Sequence, residues 1–229
     1  VKETQNRRRQ AVPNGVHPAL RSGYAAPQAN GLHHHPHPAP QPVEPAPRII
    51  PARVLIRPAR PDDLEQATLL ERRVGGTLAA TLNELQRRLF ALPEAFLLAE
   101  LQRVGLPPQI VGMANGLIWT RDYPRSFTEF EKVLPSSSHN PRGDVLYVAS
   151  LGVDPMWRGR GIALSILRET AEVARRRHLK CLRLIGHART ETLLARAGFR
   201  SVRPLTGAFR QHRHLMPQPV LMEMPLTPP

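Results

Sequence analysis

One stretch of this 229-residue chain restricts its fold more than any other: Asp154-Pro155-Met156-Trp157-Arg158-Gly159-Arg160-Gly161-Ile162-Ala163, set between an apolar run and a helical pattern. Val145–Val153 reads as a buried strand, and from Ile162 to about Arg177 the residues Ile166, Leu167, Thr170, Ala171 and Ala174 recur on one helical face. A strand that turns through a basic, glycine-punctuated loop into a helix makes an anion site. The first-turn amides lack partners, and the helix dipole favours negative charge. Gly159 and Gly161 remove side chains, Ala163 is small, and Arg158 and Arg160 add positive charge at the same spot. A diphosphate suits such a turn. The third glycine of the dinucleotide fingerprint is missing and no Gly-Lys-Ser/Thr triplet occurs, which argues against both of those nucleotide classes.

Around this junction the chain alternates between strand and helix signals. Arg53–Arg57 is a short alternating strand, and Pro61-Asp62-Asp63 opens a helix running to about Val74. Thr81-Leu82-Asn83-Glu84 has the capping-box pattern and starts a second helix with Leu82, Leu85, Leu89 and Phe90 at helical spacing, ended by Pro93. Ala95–Leu101 and Gln109–Thr120 read as an antiparallel hairpin turning around Gly105-Leu106-Pro107-Pro108. Periodicity disappears from Arg121 to Asp144, a connection long enough to be functional or mobile. Cys181–Ile185, Phe199–Val202 and Pro219–Leu226 supply further strands, with a short helix from Thr190 to Ala197 stopped by Gly198. These elements predict an α/β (α+β layered) domain over residues 53–229, with a mixed, mainly antiparallel central sheet of six to seven strands flanked by helices.

Residues 1–52 read as a disordered, basic Pro/His-rich tail that cannot bury enough apolar surface to offset the cost of ordering. Its His33-His34-His35-Pro36-His37 tract lacks the fixed geometry of a metal site, so no metal centre is expected. The net charge of +14 spans tail and domain and suits any polyanion, a phosphate-bearing cofactor included. Cys181 is the sole cysteine, which excludes an internal disulfide and cysteine-clustered zinc. With no apolar run of membrane-spanning length and no signal core after Arg7-Arg8-Arg9, a soluble cytoplasmic protein is expected.

Arg158-Gly159-Arg160-Gly161-Ile162-Ala163 resembles the Gln/Arg-x-x-Gly-x-Gly/Ala signature of the GNAT acetyltransferase family. Leu146–Pro155 is similar to that family's central strand, Ala197-Gly198-Phe199 to its late helix-to-strand junction, and Ile56-Arg57-Pro58-Ala59 with Asp62-Asp63 to its opening. The resemblance covers about three quarters of the chain. It implies a GNAT-like acyl-CoA N-acyltransferase fold with acetyl-CoA as cosubstrate. The pantetheine arm would lie along Leu151, Gly152 and Val153, bonding the main chain of Leu151 and Val153, and the diphosphate would rest on Arg158, Gly159, Arg160, Gly161, Ile162 and Ala163.

The implied chemistry is attack of a primary amine, on a small molecule or a protein, on a thioester. The family's frequent base, a glutamate on the central strand, is matched by Ala149, and its frequent tyrosine acid by Leu194. Catalytic candidates are therefore chosen by position: His187 past the strand ending at Ile185, Tyr147 and Ser150 on the central strand, and Glu129 or Glu131 acting through water. Each has a plainer account. His187 could be a solvated loop histidine, Tyr147 a packing aromatic, and Cys181 a small buried residue rather than a nucleophile. Two rivals stand beside the enzyme: a catalytically weak acyl-CoA sensor of the same fold, and a nonspecific nucleic-acid binder lacking any reader motif. The acceptor, the acyl length and the oligomeric state, a homodimer among the options, are not written in the sequence.

Overall fold

The computed structural model describes residues 52–120, 127–131, 133, 138–207 and 209–226. The expected tail with its His33–His37 tract, and most of the segment between Arg121 and Ser137, lie outside them. Seven strands form one sheet: β1 (Ala52–Pro58), β2 (Leu97–Arg103), β3 (Leu106–Trp119), β4 (Val145–Val153), β5 (Cys181–Gly186), β6 (Arg200–Pro204) and β7 (Val220–Pro225), in the order β1-β2-β3-β4-β5-β7-β6. Every pairing is antiparallel except β4–β5. The mixed, mainly antiparallel sheet read from the sequence is the one observed.

Helices cover both faces. α1 (Leu64–Gly75) and α2 (Leu82–Ala91) set Leu64, Ala67, Leu70, Leu85 and Leu89 against Phe96, Leu98, Ile110 and Met113 on one face. On the other, α4 (Ile162–Arg176) packs Ile162, Ile166, Leu167, Ala171 and Ala174 on Leu97, Ala99, Leu101, Val111, Ala114 and Leu182. The period-2 alternation of β2 is visible here, Leu98 facing one layer and Leu97, Ala99 and Leu101 the other. α3 (Phe127–Glu131) and α5 (Glu191–Arg196) are short.

Local chemistry accounts for the helix starts. Thr81 and Glu84 form the reciprocal capping box of α2, the Thr81 hydroxyl accepting from the Glu84 amide at 3.3 Å and the Glu84 carboxylate from the Thr81 amide at 2.7 Å. Arg57 ties β1 to the start of α1 through a two-pronged bond to Asp63, at 2.7 and 2.8 Å, and reaches Glu100 of β2.

Three details differ from the sequence reading. The hairpin turn is tighter, at Val104-Gly105, so that Pro107 and Pro108 lie inside β3, in the part of that strand that runs past the end of β4 and has an open edge. Leu82 and Phe90, expected on the core face of α2, are 43% and 63% exposed, because Leu85 and Leu89 alone point down the sheet-facing stripe. The aperiodic connection after β3 holds a short helix, α3.

One contact governs how closely α1 lies on β4. A Cβ added to Gly152 would stand 2.5 Å from Val74 Cγ2, so only glycine permits this approach. Gly152→Ala is expected to destabilise the fold by about 1–3 kcal/mol in chemical denaturation, the usual cost of overpacking. Val74→Ala in the same chain should recover part of that loss.

Candidate functional site

The site starts from an irregularity in the central strand. β3 and β4 pair as Asn115↔Ser150 and then Gly116↔Val148, which leaves Ala149 as an extra residue. Such a bulge bends its strand and increases its twist. On the other side, β4 pairs with β5 only through Val145↔Cys181, Leu146↔Leu182 and Tyr147↔Arg183. Among the described residues β4 has no strand partner on that side from Val148 onward, and the sheet opens between β4 and β5.

The main-chain direction along the open stretch follows from one bond. The Asp154 amide donates to the Val111 carbonyl at 2.9 Å, which makes residues 154 and 152 the ones whose main-chain groups face β3. Leu151 and Val153 therefore turn theirs to the open edge. The Val153 carbonyl there accepts from Arg158 Nε at 3.1 Å.

Residues 154–161 lead from this edge into α4. Asp154 is buried, ion-paired with Arg73, and caps the turn Pro155–Trp157 by accepting from the Met156 amide at 3.0 Å. Gly159 and Gly161 have φ of +75° and +78°, a left-handed backbone that a side chain would strain, and nothing stands within 4 Å of a Cβ placed at either. Gly161 precedes α4 with no side chain capping it, and the first helical bond runs from the Ser165 amide to the Gly161 carbonyl at 3.0 Å. Amides ahead of Ser165 therefore face outward without helical partners. Residues 158–161 are exposed, Ile162 is buried and Ala163 is partly buried. Arg160 lies over the Trp157 ring, 4.8 Å from its centroid. An open, cationic turn at a helix N-terminus, with two glycines that leave room beside its arginines, fits a diphosphate.

The three catalytic candidates are not brought to one point. Tyr147 is fully buried, edge-on to Trp119 at 4.8 Å in a cluster with Leu117 and Val133. Burial pushes its phenol well above the ordinary tyrosine pKa, and the nearby Arg88 charge offsets only part of that. His187 follows β5 at the mouth of the opening. Thr190 holds its backbone, the His187 amide donating to Oγ1 at 3.1 Å, while its Nδ1 is buried without a partner among the described residues. Burial, and after it the charge of Arg189, draws the His187 imidazole below its ordinary pKa. Leu194, where the resemblance expects an acid, is core. The side chains of Glu129 and Glu131 lie outside the described residues.

Ser150 is in different company. Its Oγ donates to Glu71 Oε1 at 2.9 Å and accepts from Arg88 Nη1 at 3.3 Å, and the same Nη1 reaches Asn115 Oδ1 at 3.2 Å. Glu71, Arg88 and Asn115 are all at least nine-tenths buried. The sequence reading missed these three. Glu71 and Arg88 sit in helices where a charged residue reads as solvent-facing, and only the register of α1 and α2 against the bulge reveals them.

Cys181 is buried at the opposite end of β5, its thiol pushed up to about 11 by burial and then by Glu223, as suits a packing residue. Arg175 and Arg176 pair with Glu172 and Glu169 on their own helix, and Arg177 pairs with Glu94. Among the described residues no three His, Cys, Asp or Glu side chains are grouped to hold a metal ion, and no helix is long and apolar enough to cross a membrane.

Comparison with known proteins agrees with this geometry. A profile of the Acetyltransferase (GNAT) family matches residues 65–199, more than half of the chain. The chain belongs to the GNAT acetyltransferase family. No curated protein sequence matches it. Among solved structures, the GphF GNAT-like decarboxylase in complex with isobutyryl-CoA superposes with a TM-score of 0.60 at 19% identity, covering 76% of this chain and 100% of the other. The loading GNATL domain of CurA from Lyngbya majuscula gives 0.61 at 15% identity over 76% and 98%. Rv2747 from Mycobacterium tuberculosis, in complex with CoA and NLQ, gives 0.52 at 19% identity over 76% and 99%. At these identities the likeness is one of fold.

The His187 environment carries its own check. In a side-chain NMR titration its ring signal is expected to move with a midpoint below the ~6.5 of an unperturbed histidine. A midpoint at or above that value would place the imidazole in water.

Proposed function

We propose that this chain is an N-acetyltransferase that moves an acetyl group from acetyl-CoA to a primary amine, of a small molecule or a protein, by direct attack on the thioester. The observation that carries the reading is the exposed Arg158–Gly161 turn, with two left-handed glycines, opening α4 at the end of a strand whose edge has been freed. Membership of the GNAT family supports it, as do structural neighbours whose names include CoA and an acyl-CoA. Residues 53–229 form the proposed catalytic domain, with 1–52 as its tail.

On this reading Leu151 and Val153 hold the pantetheine arm by main-chain bonds along the open edge, in the manner of an added strand. Gly152 keeps α1 close behind them. Arg158, Gly159, Arg160, Gly161, Ile162 and Ala163 hold the diphosphate. Acetyl-CoA supplies an acyl carbon activated by a sulfur leaving group. The chain's own tasks are to orient that carbonyl, to keep water out and to deliver a neutral amine. On this reading Tyr147, buried against Trp119, serves packing. Ser150 and His187 remain as groups that can carry a proton.

The sensor alternative draws on Ala149 and Leu194, which leave the family's frequent base and acid positions without proton-carrying groups. Turnover distinguishes the two. Release of free thiol from acetyl-CoA that depends on both enzyme and amine supports the transferase, and saturable binding without release supports the sensor.

A paired substitution tests the turn itself. Asp and Asn have equal bulk and both tolerate a left-handed backbone, so Gly161→Asp and Gly161→Asn differ in charge alone. Coenzyme A affinity by calorimetry is expected to fall for Gly161→Asp by more than about tenfold relative to Gly161→Asn, a difference of about 1.4 kcal/mol. Equal affinities would reject the turn as the diphosphate site.

A further inference from the structure

The buried acids of this domain fall into two groups. Glu100 and Asp154 each have a direct guanidinium partner, Arg57 and Arg73 respectively. Glu71, only 5% exposed, has none: among the described residues it forms no ion pair, and its Oε1 accepts from the Ser150 hydroxyl at 2.9 Å and the Ala80 amide at 3.3 Å. Arg88, whose charge Glu71 feels, is spent elsewhere, its Nε and Nη2 on the Val133 carbonyl at 3.3 and 3.2 Å and its Nη1 on Ser150 and Asn115. Removing two ions from water costs several kcal/mol each, and direct contact between them would be the simplest compensation. Here a serine hydroxyl stands between them instead.

That hydroxyl lies at the point where the strand is bent. Ser150 follows the bulged Ala149, is partly exposed, and begins the stretch of β4 whose opposite edge is free. A serine oxygen has one hydrogen and two lone pairs. The hydrogen is committed to Glu71 and one lone pair to Arg88, so one lone pair is left for an incoming N–H. Asn115 Nδ2, on the residue directly opposite Ser150 in the ladder, is buried without an acceptor among the described residues, a second unused polar group at the same place.

We propose that Ser150 is the residue that receives the acceptor's ammonium group, and that Glu71 is the positioning and proton-storing residue acting through it. This rests on the acyl-transfer reading. It also supplies what Ala149 lacks, because a carboxylate from α1 reaches the face of β4 where the family's frequent strand glutamate is absent. An ammonium N–H bonds to Ser150 Oγ. The proton passes to Oγ while the hydroxyl hydrogen passes to Glu71 Oε1, leaving a neutral amine and a neutral carboxyl group. The nitrogen lone pair forms the C–N bond, the C–S bond breaks with its electrons on sulfur, and the second nitrogen proton goes to the departing thiolate. Glu71 then returns its proton to solvent. Arg88 fixes the hydroxyl so that its hydrogen points at Glu71. The charged and titratable groups that act on Arg88 are Glu71 from α1, Glu84 from α2 and Tyr147 from β4; burial lowers the pKa of Arg88, and Glu71, then Glu84 and Tyr147, oppose that shift.

The test uses two amines that differ in their need for a base. Ethanolamine is protonated at pH 7, whereas hydroxylamine is already neutral. Amine-dependent thiol release from acetyl-CoA is measured for the full chain, for Ser150→Ala, for Glu71→Gln and for Ser150→Thr, against blanks without enzyme. With ethanolamine at pH 7, kcat is expected to fall about 100-fold or more in Ser150→Ala and Glu71→Gln, as for loss of a general base. It should recover as pH rises, and Ser150→Thr should retain activity. With hydroxylamine, which arrives without the proton that the relay removes, the same variants should lose far less activity than with ethanolamine, and KM for acetyl-CoA should not change. Equal losses with both amines, no loss with ethanolamine, or no enzyme-dependent transfer to ethanolamine by the unsubstituted chain would overturn the proposal. Coenzyme A binding by calorimetry and transfer to hydroxylamine separate the two levels: absence of binding in the unsubstituted chain defeats the cofactor reading, binding without transfer to either amine defeats the transferase reading, and binding with transfer to hydroxylamine alongside any of those outcomes defeats this relay alone. Ser150→Ala carries the test should Glu71→Gln fail to fold.

Discussion

The separation of β4 from β5 after Tyr147 and Arg183 is the constraint on which the rest of this structure depends. A continuous sheet would satisfy both edges of every inner strand, and nothing could be added between them. Instead the extra residue at Ala149 bends β4 away, and Leu151 and Val153 turn their main-chain groups toward a free edge. An unpaired edge is a liability unless something covers it. Here the edge leads directly into a cationic turn and the uncapped start of α4, so a long ligand with amides at one end and phosphates at the other would meet complementary groups along its length.

The two helical layers hold this opening from opposite sides. α4 spreads a wide apolar stripe over β2, β3 and β4, which fixes the direction of its N-terminus. α1 is drawn against the other face by the missing side chain of Gly152, and its last turn carries Arg73 to the buried Asp154 that caps the start of the turn. The same close approach brings Glu71 to Ser150. A single structural need, α1 packed hard on a bent strand, thus places the polar cluster beside the proposed cofactor channel.

Much of this was legible in the sequence for physical reasons. Strand and helix periods mark β4 and α4, Thr81 and Glu84 announce α2, and the Arg158–Ala163 spacing marks the glycine turn that opens α4. The bulge was not legible, because Val145–Val153 is apolar or small nearly throughout and gives no alternation from which a slipped register could be read. Tyr147 and Ser150 were both candidates, and the fold separated them. Tyr147 lies before the bulge against Trp119, whereas Ser150 follows it and meets α1 and α2. Glu71 and Arg88 are 79 and 62 positions from Ser150, and local patterns carry no information about such pairs. Leu82 and Phe90 show the converse error, apolar residues at helical spacing that the sheet does not reach.

In the proposed function main-chain donors at the start of α4 grip a phosphate group, and amide NMR reads those donors directly. On titrating coenzyme A into 15N-labelled protein, the amides of Gly159, Gly161, Ile162 and Ala163 should show the largest shifts, saturating together. Saturable binding that leaves those four signals in place while moving others would contradict it.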